Sequence, residues 1–134
     1  MSQPDESLWM KLMREYGQKV YMSSPTPFLY QTPTGRPLHD YTALGLQGRF
    51  DEAETIAKTL QPLREIAAKW MRSRWVNEKL IPIAYIKAWS ELLGMAGGPV
   101  RTPLPQITDQ ERQALRAELE KTGILSRVKV KQAA

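Results

Sequence analysis

IPIAYIKAWSELLGMAGGPVRTPLPQITDQERQALRAELEKTGI, residues 81–124, is the stretch that decides the fold. Pro82 pre-sets the first turn of a helix, where its missing N–H costs nothing. Behind it Tyr85, Ile86, Trp89, Leu92 and Leu93 recur at the spacing of one helix face, and Gly94 closes the helix. Residues 95–107 carry Gly97, Gly98, Pro99, Pro103 and Pro105, so they read as an irregular connection. Thr108 with Glu111 three residues on is a capping box that opens a last helix, running to about Thr122. Gly123 followed by Ile124 predicts a Schellman end in which Ile124 touches Leu119.

Upstream of this stretch the same signals repeat. Asp51 and Glu54 predict another capping box, heading a long helix with Ile56, Leu60, Leu63, Ala67 and Trp70 on one face. Pro62 kinks that helix, which runs on toward Arg74 or Glu78. Pro37 heads a short helix to Gln47, ended by Gly48. Residues 24–36 hold Pro25, Pro27 and Pro33 and read as a loop. Its Phe28, Leu29 and Tyr30 are expected to pack on another element or to rim a pocket. Residues 5–16 read as a helix with Leu8, Leu12, Met13 and Tyr16 on one face and Trp9 beside them, stopped at Gly17. Residues 19–23, Lys-Val-Tyr-Met-Ser, are the one good strand candidate. A lone strand leaves its backbone groups without ladder partners, so it demands neighbours that this chain hardly offers. Residues 126–134 read as a loose polar tail. The expected fold is mostly α: a helix, one orphan strand, a proline loop and four more helices.

Composition narrows the functions. At 134 residues, 42% hydrophobic and 25% charged, one globular domain is the default. The absence of cysteine excludes disulfides, thiolate metal sites and cysteine nucleophiles, and it fits a reducing, cytoplasmic setting. No signal-peptide pattern opens the chain, and no apolar run is long enough to span a membrane. A net charge of +5 raises the question of polyanions. Trp70-Met71-Arg72-Ser73-Arg74-Trp75 interleaves arginines with aromatics that could stack on bases. Trp70, however, continues the apolar stripe, so the segment reads as core plus solvated face and nucleic acid is not the expected partner.

Chemistry is sparse. The single histidine, His39, adjoins Asp40 on a helix, where neighbours point in different directions and make no dyad. Asp51, Glu52 and Glu54 read as helix-start carboxylates rather than metal ligands. Neither a metal nor a cofactor is expected. Gly97-Gly98-Pro99 has no preceding strand and no following lysine, so it is a turn and not a phosphate cradle. Lys87 lies amid Ile86, Ala88 and Trp89. A desolvated lysine can form a Schiff base, but a snorkelling side chain accounts for Lys87, and nothing nearby reads as its partner general acid.

Several of these segments, taken in order, resemble the C-terminal part of the dihydrodipicolinate synthase/N-acetylneuraminate lyase family of class I aldolases. They are residues 5–24, Gly48-Arg49-Phe50-Asp51-Glu52-Ala53, the Pro82 helix with Lys87 ending at Leu93-Gly94, and Val100-Arg101-Thr102-Pro103-Leu104 leading into the Thr108 helix. The resemblance implies the end of a TIM (β/α)8 barrel. Residues 1–48 would give its last helix, strand and following helix, residues 49–125 a C-terminal helical extension, and residues 126–134 a tail. It implies aldol cleavage or condensation, often with pyruvate, through a lysine Schiff base. The family's Gly-Thr-Thr/Ser-Gly-Glu loop, tyrosine strand and Gly-x-Lys strand are not in this chain. A whole barrel takes about 250 residues. Only Met22, Ser23 and Ser24 would reach the rim of the substrate site, and no catalytic residue is assigned. Ser24-Pro25-Thr26-Pro27 departs from the family's Ala-Asn pattern, so no substrate is implied. The implied partners are the remainder of the barrel or identical subunits of a homo-oligomer. The other expectation is a self-standing helical module that binds protein or nucleic acid.

Overall fold

Trp9 decides which side of the first helix faces inward. The computed structural model describes residues 5–22 and 26–128. Asp5 accepts from the Ser7 N–H at 3.0 Å and opens a 3-10 turn, Glu6–Leu8, which runs into α1, Trp9–Tyr16. Trp9 is fully buried, and its indole N–H donates to Thr42 Oγ1 at 2.9 Å. Met13, one turn on, lies against Gly45, where a Cβ would come within 2.7 Å of the Met13 methyl. The expected face is therefore rotated. Trp9 and Met13 are inside and Leu12 is half-buried, while Leu8 is 39% and Tyr16 is 72% exposed. Gly17 ends α1 at φ 60°, with its N–H on the Met13 carbonyl and that of Gln18 on the Leu12 carbonyl.

The strand expected at residues 19–23 does not form over residues 19–22, and Ser23 lies outside the described residues. A strand needs a neighbouring backbone to complete its ladder. Among the described residues the only bridge is elsewhere, an isolated antiparallel pair of Thr32 with Gly35. Residues 19–22 still alternate in part: Tyr21 turns inward against Trp9, at 5.2 Å between ring centres, and Val20 and Met22 face out.

The proline loop is more ordered than its composition suggests. A 3-10 turn, Thr26–Tyr30, buries Leu29 and Tyr30 as expected and leaves Phe28 41% exposed. Helix α2, Pro37–Leu46, has Pro37 in its first turn. Helix α3, Phe50–Lys58, begins one residue before Asp51, so the expected capping box with Glu54 does not form. Instead Arg14 on α1 draws both acids across, at 2.8 Å to Asp51 and 3.5 Å to Glu54. The small buried Ala53 and Ala57 let α2 and α3 pack closely.

The long helix expected from Asp51 is several pieces. Helix α3 stops at Lys58, and α4, Gln61–Ala67, restarts with Pro62 in its first turn. A proline there needs no N–H partner, whereas inside a continuous helix it would break one. A π-turn, Ala68–Arg72, widens the next turn and passes into α5, Ser73–Glu78. Leu60, Leu63, Ala67 and Trp70 are nonetheless all buried, and Ile56 packs against them. Helix α6, Ile83–Leu92, buries Tyr85 and Trp89, and Leu93 is buried just past its end. Helix α7, Asp109–Lys121, carries the expected capping box.

The Schellman end expected after α7 forms in part: Gly123 takes φ 74° with its N–H on the Glu120 carbonyl at 3.0 Å, but the longer bond of the motif is taken over by a side chain. Thr122 Oγ1 donates to the Leu119 carbonyl at 2.7 Å and accepts from the Ile124 N–H at 3.3 Å, so a side chain takes the place of the longer backbone bond. A further 3-10 turn, Leu125–Arg127, buries Leu125, and Thr34 donates to the Arg127 carbonyl at 3.1 Å. The start of the supposed tail is thus docked, and residues 129–134 lie outside the described residues. One core runs from Trp9 to Leu125, crossing residue 48. The chain is mostly helical, and no helix among the described residues is long and apolar enough to cross a membrane.

Candidate functional site

Met22, the described part of the expected rim, lies in the irregular segment after α1 and is 69% exposed. Ser23 and Ser24 lie outside the described residues. Beside Met22, Tyr21 packs on Trp9, which positions this segment over the α1–α2 contact.

The most developed polar arrangement lies behind that segment and was not anticipated. Glu6, only 6% exposed, accepts from Arg64 Nε at 2.8 Å and from a terminal guanidinium nitrogen at 2.9 Å. Tyr41, fully buried on α2, donates its hydroxyl to the same carboxylate. The two-pronged guanidinium contact offsets much of the cost of taking the carboxylate out of water. Burial, followed by the negative charge of Glu6, pushes the Tyr41 and Tyr30 hydroxyls well above the ordinary tyrosine range. Tyr41 therefore stays protonated and acts as a donor. The arrangement ties the N-terminal turn to α2 and α4. The sequence carried a signal for it: Glu6, Trp9 and Met13 are three and four residues apart, so Glu6 sits on the stripe that carries the core. Arg64 falls likewise between Leu60 and Ala67.

A second polar arrangement joins α5, α6 and α7. Glu111 uses one oxygen to cap Thr108 and the other to accept from Arg74 at 3.0 Å and Tyr85 at 2.8 Å. Burial works against the Glu111 carboxylate, but the donors from Thr108, Tyr85 and Arg74 outweigh it and hold its pKa below the usual range. Burial, then the bond to Glu111, pushes the Tyr85 hydroxyl up to about 12. The Arg74 guanidinium lies 4.8 Å from the Tyr85 ring centre and 5.6 Å from that of Trp70.

These contacts account for the arginine–tryptophan segment. Trp70 is buried, with its indole N–H on Glu118 at 3.0 Å, and Lys69 pairs with the same carboxylate. Arg74 pairs with Glu78 and Glu111, and Arg72 lies 3.7 Å from Asp5. The cations of this segment thus face protein carboxylates, and Trp75 alone of its aromatics stands exposed, at 56%.

Lys87 donates to the Pro99 carbonyl at 2.8 Å and holds the glycine turn against α6. Glu91 supports the same turn, accepting from the Gly98 N–H at 2.5 Å and from Arg112 at 2.6 Å. Those two donors, the Gly98 N–H first, keep the Glu91 carboxyl below its ordinary range. Gln106 serves both backbone groups of Val100, donating to its carbonyl at 2.6 Å and accepting from its N–H at 3.3 Å. An open cleft of about 270 Å3 lies between this connection and α6 and α7, lined by Glu91, Val100, Gln106 and Arg112. A smaller hollow of about 70 Å3 beside Tyr30, Thr32 and Arg127 has room for about two waters.

His39 and Asp40 do meet, at 3.1 Å, contrary to the expectation from helix geometry, because both side chains swing along the exposed surface. Both side chains are exposed, and the pair lies at the surface. Asp51, Glu52 and Glu54 are engaged with Arg14 and Arg49. Among the described residues no three histidines or carboxylates could hold a metal ion. The polar groups of these arrangements are committed to one another, which suits structure better than proton transfer. No family model, no curated protein and no solved structure matches the chain.

Proposed function

We propose that the chain is the C-terminal portion of a Schiff-base-forming lyase or aldolase of the dihydrodipicolinate synthase/N-acetylneuraminate lyase type. On this reading it supplies the last strand of a TIM barrel and the helical extension, and it does not catalyse alone. The observation that carries the reading is the segment after α1. Val20 and Met22, a valine and a methionine in a stretch of strand-forming sequence, stand 65% and 69% exposed on either side of the inward Tyr21. An inward tyrosine between two outward apolar side chains is one period of strand-like alternation, and it supports the reading that a neighbouring strand would order this segment. The order of sequence segments quoted above supports the same reading. Lys87 bonded to Pro99 is consistent with a structural lysine and leaves the Schiff-base lysine to the missing part of the barrel.

One observation favours the alternative, a self-standing helical interaction module. Trp9, Tyr41, Leu60, Trp89, Leu115 and Leu119 are at most 2% exposed within this chain alone, so the helices close a core of their own. The paired cations around Trp70 argue for a protein partner over nucleic acid in that case.

Two measurements separate the readings. The nucleotide sequence around the Met1 codon is expected to encode a barrel bearing the Gly-x-Lys strand, in frame or as a neighbouring gene. Co-expressed with that piece, the chain is expected to complete an assembly in which pyruvate and borohydride leave a reduced adduct on the barrel lysine. If no such coding sequence exists and the isolated chain is a compact monomer with a cooperative melt, the module reading replaces the lyase reading. An adduct on a lysine of the isolated chain would overturn the statement that it is inactive alone.

A further inference from the structure

We draw no further inference here: the strongest candidate, the exposed apolar face formed by Trp75 and Val76 on α5 with Ile81 and Ile83 at the start of α6, carries nothing because nothing in the structure shows what covers it.

Discussion

Arg64 and Glu6 show how one side chain can govern an element far away in sequence. Removing the guanidinium leaves a carboxylate that is 6% exposed without its counter-charge. Breaking a buried pair on one side costs about 3–5 kcal/mol. Arg64→Met is therefore expected to lower the urea midpoint sharply, and an unchanged midpoint would mean that Glu6 is reached by water. Gly97 tests space instead of charge. A Cβ there would meet the Lys87 carbonyl at 2.5 Å, a backbone atom that cannot swing aside. Gly97→Ala is expected to cost about 1–3 kcal/mol by overpacking, read as a lower melting temperature. Tyr85 gives the pH dependence. Its hydroxyl ionises at about 12 when folded, against 10.0 for a free tyrosine. The unfolded chain thus loses that proton first, and stability falls as pH rises through this window. Thermal melts across it are expected to show the fall, and Tyr85→Phe to make it shallower.

At the scale of elements, the apolar periodicities, glycine stops and prolines were legible because each acts through its own backbone. Pro37, Gly48, Gly94 and the Thr108–Glu111 box all fall where their chemistry requires. The failures come from competition by side chains and packing, distant at two places and local at Thr122. Arg14 takes Asp51 and Glu54 away from capping, the Thr122 hydroxyl replaces a backbone bond, and Thr42 with Gly45 turns α1 on its axis. For the Glu6–Tyr41–Arg64 contact, the best-built polar feature, the spacing marks Glu6 and Arg64 as inward-facing, but their pairing was not legible because the members are 35 and 58 residues apart. Helices α5 and α7 make a controlled pair for testing these ideas. Thr108→Ala removes a cap and one anchor of Glu111, with an expected loss of about 0.5–2 kcal/mol. Trp75→Ala removes a far larger side chain from α5, but one that is 56% exposed. It is expected to change stability by no more than about 0.5 kcal/mol. A large effect of Trp75→Ala in chemical denaturation would mean that α5 is covered in solution.

For the whole molecule, the helices enclose a core while the segment after α1 leaves Val20 and Met22 outside. A chain of this kind is expected to be folded and yet prone to associate. Val20→Lys with Met22→Lys is expected to shift sedimentation toward the monomer with little loss of melting temperature, since both side chains are mostly exposed. A wild-type chain already monomeric at high concentration would show that the segment needs no cover. Most members of the core were legible from the apolar spacing, but how they close on one another was not. Nor was what surrounds the core, because the sequence of one chain carries no record of the surfaces it meets.

The four tryptophans have a consequence of another kind. Trp89 is fully buried, and its indole N–H has no acceptor among the described residues. Trp9 and Trp70 are buried with their N–H groups bonded, and Trp75 faces water. An excited indole relaxes according to the dipoles around it, so Trp89 emits at the blue edge of the spectrum and Trp75 at the red. Selecting the excitation and emission edges thus reads the buried core and the exposed side of α5 separately, without any label. A partner that settles on α5 would announce itself by quenching or shifting the red component while the blue one stayed still.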